Sequence, residues 1–427
     1  MNTAVHDLRT LDDVDIDGGR VLLRADLDVP LMPAPAGTGA RVADDSRIHA
    51  ALPTIEELRR RGASLVLASN LGHPRGHNPA YSMQPVAERL SELTGIPVPL
   101  APAVTGPDVV EVTRQLVPGE VLMLENVGFE AADTRNDPTF ASALAELGDL
   151  YVDDAFANAH DALASTVGVA RRLPCAAGRL MEREILALSA IIERPSRPFV
   201  AVLGGTKVSE KSGGILHLLE LADKVCIGGA LCFPFLAALG HSTGRSLCPH
   251  DELEPARLAL AAAAGFDRLE LPRDFVLGSG GGHAGATTVT LNARDVPDDW
   301  VALDIGPDTA AHYATEINGA GAVFWNGPMG RLELPAYAAG TRSMATAMAS
   351  SAAITVAAGG DTVRALRSYG LEDRVSHIST GDEAALALIA GGDLPGVNVL
   401  LRAPVAQAVG SCSAFRDDTS EPITRTT

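Results

Sequence analysis

The chain is poor in the residues that cross-link or rigidify small folds. Only five of its 427 residues are cysteine, and aromatic residues make up 4%. Cys175, Cys226, Cys232, Cys248 and Cys412 are scattered without ligand-like pairing, which argues against a disulfide framework or a cysteine-held metal. Three of them stand in apolar surroundings and read as buried free thiols. Long hydrophobic runs are missing too: none approaches the roughly 20 apolar residues of a membrane span. Met1–Arg9 has no apolar core of the kind a signal peptide needs. The expectation is a cytoplasmic protein with no membrane partner. Basic residues are outnumbered, 34 Lys and Arg against 53 Asp and Glu, for a formal net charge of -19. That excludes a general nucleic-acid surface, but a local basic cluster can still hold an anionic small molecule.

A chain of this length is expected to form two domains. In the first half, apolar runs at 21–25, 64–69, 121–127 and 150–154 do not alternate with polar residues. Helical segments near 46–61, 83–94, 107–116 and 137–147 fall between them, and Val98–Leu100 reads as a very short strand. Non-alternating strands separated by helices indicate a mostly parallel sheet covered on both faces. A helix over 180–192 is broken by Glu193–Pro198, where the domain boundary is placed. The second half repeats the scheme, with strands at 199–203, 224–227, 270–271 with 274–277, 300–303, 321–325 and 353–357. In such α/β sheets ligands bind beyond the carboxyl ends of the strands. The polar residues at those ends are Asp26 and Asp28, which share one face if the strand continues through them, then Asn70 and His73, Asn126, and Asp153 with His160.

The most informative stretch is Leu203-Gly-Gly-Thr-Lys-Val-Ser-Glu-Lys211. An apolar strand opens onto Gly204 and Gly205, which carry no Cβ and let backbone approach a ligand. Lys207 and Lys211 follow as two compact charges suited to a polyphosphate, or to a solvated surface loop. The spacing is not that of a P-loop. Gly359-Gly-Asp-Thr362 opens a second helix, whose free N–H groups make an anion site at Gly359 and Gly360. Asp361 is either a helix-start residue or a carboxylate for a magnesium ion bridging phosphates. Asn326 and Glu333 flank another strand end, with Glu333 facing ribose hydroxyls or solvent. Arg47 either folds back over Asp26 or pairs with Asp44 or Asp45. His73 and His160 lack metal-ligand spacing. No nucleophile elbow and no dinucleotide fingerprint are present. Any chemistry is therefore electrostatic positioning around a transferred phosphoryl group.

Taken together, the motifs resemble the phosphoglycerate kinase family over roughly residues 7–400. They are Arg24-Ala-Asp-Leu-Asp-Val-Pro30, Asp44-Asp-Ser-Arg-Ile48, Leu52-Pro-Thr-Ile55, Leu124-Glu-Asn-Val127, Ala164-Ser-Thr-Val-Gly168, the 203–211 stretch, Trp325-Asn-Gly-Pro-Met-Gly330, Gly359-Gly-Asp-Thr362 and Ser376-His-Ile-Ser-Thr-Gly381. The resemblance implies an α/β fold of two Rossmann-like parallel-sheet domains joined by an interdomain helix and closing on a hinge. Residues 1–184 would bind the acceptor, 185–199 form the interdomain helix and linker, 200–404 bind nucleotide, and 405–427 form a tail. It implies Mg2+ with ATP or ADP, a small-molecule acceptor, and a monomer. Lys207 matches the lysine on the transferring phosphoryl group, and Lys211 the one on the nucleotide phosphates. Asp361 matches the magnesium-linked aspartate, with Gly359, Gly360 and Thr362 at the phosphate-binding helix start. Asn326 matches a nucleotide-domain residue, Glu333 the ribose-binding glutamate, and Arg47 the arginine reaching the reacting carboxylate.

The acceptor side departs from the family pattern. Asp26 is kept, but Asp28 replaces an asparagine, Asn70 a histidine, and His73 an arginine. Gly128 stands where an arginine binds substrate. His160 is kept, followed by Asp161 in place of an arginine and by Leu163 in place of a histidine. Gly381 is followed by Asp382 and Glu383 where the family's glycine run continues. Each charge-assisted hydrogen bond to a bound anion is worth roughly 1.5–3 kcal/mol. Losing several costs on the order of 10²–10⁴ in affinity. The favoured expectation is therefore a kinase that phosphorylates a carboxylate of another small acid, such as an amino or hydroxy acid. The alternatives are a phosphoglycerate kinase whose pocket recruits Arg75, Arg135 or Arg179, and a nucleotide-binding protein without catalysis.

Overall fold

The computed structural model describes residues 7–34, 39–264, 267–280 and 286–402. The expected tail at 405–427 and Cys412 lie outside the described residues. The strands in chain order are β1 (Arg20–Ala25), β2 (Leu31–Pro33), β3 (Ala40–Val42), β4 (Ser64–Ala68), β5 (Val121–Met123), β6 (Leu150–Asp154), β7 (Cys175–Ala177) and β8 (Phe199–Leu203). They continue with β9 (Lys224–Ile227), β10 (Leu269–Glu270), β11 (Phe275–Ser279), β12 (Thr288–Leu291), β13 (Trp300–Ile305), β14 (Ala322–Asn326), β15 (Ile354–Ala358) and β16 (His377–Ile378).

Two parallel sheets organise the molecule. The first has the order β5-β4-β1-β6-β7 and the second β10-β9-β8-β14-β15-β16. Every neighbouring pair within each is parallel. β4, β6, β8 and β14 are buried along their whole length, so both sheet faces are covered and the apolar runs need no alternation. Chain order reverses between β1 and β6 in the first sheet and between β8 and β14 in the second. These are the switch points at which a crevice opens beyond the strand ends. A small antiparallel sheet, β12-β11-β13, lies beside the second.

Several expected boundaries move. β1 ends at Ala25, so Asp26 and Asp28 lie in the following turn and not on one strand face. Val98–Leu100 supplies only a single bridge from Leu100 to Met123. The 199–203 and 224–227 strands appear as expected, while β7 was not expected. It is too short, at three residues, to carry a periodic signal. The chain end also crosses over. Gly396 N donates to Ala159 O and Arg402 N to Asp7 O, and Leu8 bridges Leu401. The last described residues of the 200–404 segment thus pack on the first sheet's lobe. The cysteines behave as expected where described: Cys175, Cys226 and Cys232 are buried and free.

The Arg179–Ile192 helix joins the lobes. It begins where the buried Asp154 carboxylate accepts from Leu180 N and Met181 N. Midway along it Glu184, fully buried, accepts from Thr380 N at 2.6 Å and Thr380 Oγ1 at 2.9 Å, and lies 2.8 Å from His377 Nε2. One carboxylate therefore pins the joining helix to the turn after β16. Truncating it strands buried donors. Glu184→Ala is expected to cost about 2–4 kcal/mol, seen as a lower urea midpoint with an unchanged m-value.

Candidate active site

Strand register builds the wall of the second crevice. Leu203, Asn326 and Ala358 are lateral neighbours in β8, β14 and β15, so the turns that follow them lie side by side. Gly359 has φ +96°, a conformation that L side chains avoid, and an added Cβ would sit 2.9 Å from the Asn326 amide nitrogen. Gly205 is likewise left-handed and faces Lys211. Gly204 has a different reason from the one expected. A Cβ there would lie 2.1 Å from the Pro328 carbonyl, so it permits backbone packing and not ligand approach. Thr362 is also internal: its buried Oγ1 accepts from Gly327 N at 2.7 Å and ties the two turns together.

These turns enclose a cavity of about 600 Å³ whose lining includes Gly205, Lys211, Asn326, Gly359, Gly360 and Asp361. The first N–H groups of the Gly360–Ser368 helix have no partner within the helix, which suits an anion. Lys211 Nζ donates to Gly204 O at 2.8 Å and contacts the Asn326 side-chain oxygen. Burial presses its ammonium down to about 8, while the Asp382 and Glu210 carboxylates act against that. Lys207 differs from expectation. It is exposed, pairs with Glu210 at 2.6 Å, and lines neither this cavity nor its two neighbours. The Glu210 hydrogen bond holds its pKa above the ordinary lysine value.

Next to the phosphate-sized cavity lies an apolar pocket of about 380 Å³, walled by Gly229, Ala230, Phe233, Phe275 and Met329, with Glu333 and Asp361 on its rim. A flat heterocycle fits such a slot, and Glu333, exposed, is free to meet a sugar. Among the described residues no three His, Cys, Asp or Glu side chains gather to cage a metal. One carboxylate, Asp361, in the first helical turn fits a magnesium ion that keeps most of its ligands from phosphates and water.

Opposite, Arg47 lines a cleft of about 1070 Å³ together with Gly359, Gly360, Asp361 and Asp382, so the two halves face one space. Arg47 folds back over Asp26, with Nη1 2.6 and 2.5 Å from its oxygens. Asp44 and Asp45 are taken by Arg367 and Arg89. Burial works to lower the Arg47 pKa, but Asp26, with Asp28 and Asp382, acts against it and the value is raised. Asp28 accepts from Gly72 N at 2.8 Å and Asn70 Nδ2 at 3.4 Å. Gly128 N donates to Asn126 Oδ1, which also accepts from Leu71 N, so Gly128 stands beside the 70–74 loop. His73 and Asp161 are exposed. His160 belongs to the phosphate cavity and not to a separate acceptor pocket: its Nε2 is 3.0 Å from Glu383 across the cleft.

One organising residue escaped the sequence reading. Arg24, 1% exposed, donates to Asn70 Oδ1 at 2.7 Å, Asn158 Oδ1 at 3.3 Å and Ser165 Oγ at 3.3 Å. From β1 it ties together the loop after β4, the turn after β6 and the Ser165 segment. An arginine inside an apolar strand run was the available signal. Arg179, by contrast, cannot be recruited to the pocket. Glu57, Asp12 and Glu182 all hold it, and they raise its pKa.

The phosphoglycerate kinase family model matches residues 11–392. A phosphoglycerate kinase of Rubrobacter xylanophilus is 48% identical over 92% of this chain and 98% of its own length. One of Desulforudis audaxviator is 45% identical over the same shares. The solved phosphoglycerate kinases of Coxiella burnetii and Pyrococcus horikoshii superpose with TM-scores of 0.80 and 0.81 at 35% and 31% identity, each covering 92% of this chain and 98% of the other. These relatives overturn the expectation of an acceptor other than phosphoglycerate. That expectation counted Asp28 as a charge facing the ligand, whereas its carboxylate is engaged by Gly72 N and Asn70.

The depressed Lys211 value has a direct consequence. Only the neutral amine is nucleophilic, so Lys211 should acylate with a midpoint near pH 8, against about 10.4 for ordinary lysines. Labelling over a pH series with peptide mass spectrometry measures it.

Proposed function

Because the chain belongs to the phosphoglycerate kinase family, we propose that it transfers a phosphoryl group between ATP and the carboxylate of 3-phosphoglycerate. It is a kinase with a carboxyl group as acceptor. The observation that carries this reading is the shared cleft: Arg47 from the first lobe and the Gly359–Asp361 helix start from the second line one space. The nucleotide base occupies the slot beside Phe233 and Met329, its ribose reaches Glu333, and its phosphates meet Lys211 and the Gly359–Gly360 turn. Asp361 is the residue that would hold a magnesium ion brought by the nucleotide, which would offset phosphate charge.

The chemistry follows from charge placement. A carboxylate oxygen of the acceptor forms the new bond to the γ-phosphorus as the bond to the β–γ bridging oxygen breaks. ADP leaves, and no proton has to move. Arg47 lies on the acceptor side and Lys211 on the nucleotide side, so negative charge on the equatorial oxygens is stabilised from two directions. Lys207 sits on the mobile-length stem of the same loop and exchanges Glu210 for the γ-phosphoryl group when nucleotide binds. Residues 1–184 act as the acceptor domain, 185–199 as the interdomain helix and linker, and 200–404 as the nucleotide domain, whose last described residues return to the first lobe. The chain works as a cytoplasmic monomer, since closure needs both faces free.

The acceptor pocket is the divergent part of this family member. Asp26 and Arg47 hold the reacting end, while Arg75 and Arg135, both exposed, supply the charge that Gly128 and Asp161 do not. A coupled assay with MgATP and 3-phosphoglycerate tests the reading. Turnover above background is the expected result, and MgATP binding with no turnover would sink it. Lys207→Ala should lower kcat by about 10²–10³ with little change in the midpoint of unfolding. Gly128 has an ordinary φ, and its nearest side-chain neighbour is Asn126 Oδ1, 3.0 Å from an added Cβ. Gly128→Arg requires the buried Asn126 oxygen to give by a few tenths of an ångström, and with that shift should reduce KM for 3-phosphoglycerate by about tenfold or more.

A further inference from the structure

Asp382 opens the Asp382–Ile389 helix immediately after Gly381. In that position a carboxylate ordinarily serves its own helix, meeting the free N–H groups or the dipole. Here the N-cap is Gly381, which has no side chain to offer. The Asp382 carboxylate instead accepts from Asn326 Nδ2 at 3.0 Å, across the floor of the phosphate cavity. The second Nδ2 proton goes to Ala358 O at 3.1 Å. With both donors committed, the Asn326 side-chain oxygen is turned toward Lys211 Nζ, which it contacts. The reverse orientation would set amide protons against an ammonium and the amide oxygen against two acceptors.

We propose that Asp382 is a positioning residue for Lys211, acting through the Asn326 amide. The role matters to catalysis only if Lys211 binds nucleotide phosphates, so it rests on the function proposed above. The relay is a chain of charge-assisted hydrogen bonds, carboxylate to amide to ammonium, in which each polarises the next. The other titratable groups about Lys211 are Glu210 on its own loop, Asp361 on the Gly360–Ser368 helix, Glu383 beside Asp382, and His160 from the opposite lobe. Of these, the Asp382 and Glu210 charges oppose the effect of burial on Lys211.

The test is the titration of Lys211 in the full chain, read by competitive acetylation with acetic anhydride and peptide mass spectrometry, with Lys224 as internal reference. Asp382→Asn keeps the shape and removes the charge. Its expected effect is a Lys211 midpoint lower by about half to one pH unit, or roughly 3–10-fold faster labelling near pH 7. Asp382→Gly is the second variant and should shift the midpoint in the same direction. In an Asn326→Ala background (or Asn326→Ser, should alanine not fold) the same substitutions should move the midpoint by less than half as much. An unmoved midpoint in both Asp382 variants overturns the proposal. So does an equal shift with and without Asn326, because the effect would then be a through-space field with no relay. The titration needs neither nucleotide nor turnover. An absence of kinase activity would thus sink the proposed function while leaving this result readable.

Discussion

Three parallel strands that stop at the same level hold the second lobe together. Because Leu203, Asn326 and Ala358 are lateral neighbours, three turns emerge at one height on the sheet edge. Each turn needs glycine for its own steric reason, and together they bring backbone closer to the cavity than any side-chain-bearing residue would allow. Lys211 then has nowhere to put its ammonium except among Gly204 O, Asn326 O and the Asn326 side chain. A cation held this way has already lost much of its solvation. Its interaction with a phosphate in the low-dielectric cavity is correspondingly stronger.

The first lobe is built on the opposite logic, with its charges engaged by one another. Arg47 rests on Asp26, Asp28 is engaged by the Gly72 amide, and Arg24 is spent on joining three loops. This is why counting lost arginines was a poor guide to the acceptor. The Asp28 carboxylate, which stands in place of an asparagine, is satisfied by Gly72 N and Asn70 Nδ2 of its own lobe. Across the cleft, Arg367 with Asp44 and His160 with Glu383 add contacts between side chains that are partly exposed. Such pairs contribute little to stability individually. Glu184, buried and multiply hydrogen-bonded, supplies the permanent connection.

Much of the fold was legible because strand identity depends on local composition. Runs such as Phe199–Leu203 and Ser64–Ala68 are apolar on both faces, and only a covered parallel sheet accommodates that. Elements of three residues, such as β7, escaped because periodicity needs more length. The crossover of Gly396–Arg402 onto the first lobe escaped because hydrogen bonds over nearly four hundred residues leave no local trace. The site was legible as residue types, and less so as directions. Lys207 and Lys211 both read as lysines on phosphate groups, yet one turns to Glu210 in solvent and the other is buried.

By itself the sequence determined the α/β class, the glycine–lysine and Gly-Gly-Asp turns at strand ends, and membership of a family that moves phosphoryl groups. These follow from hydrophobic patterning and from turns that only particular residues can make. Tertiary structure alone decided which groups share a space: Arg47 with Asp361, His160 with Lys211, and Asp382 with Asn326. It also decided that Gly204 serves packing while Gly205 faces the cavity. Such facts depend on strand order and register, which bring together residues distant in sequence, and on burial, which sets whether a charge is screened by water or felt by its neighbour.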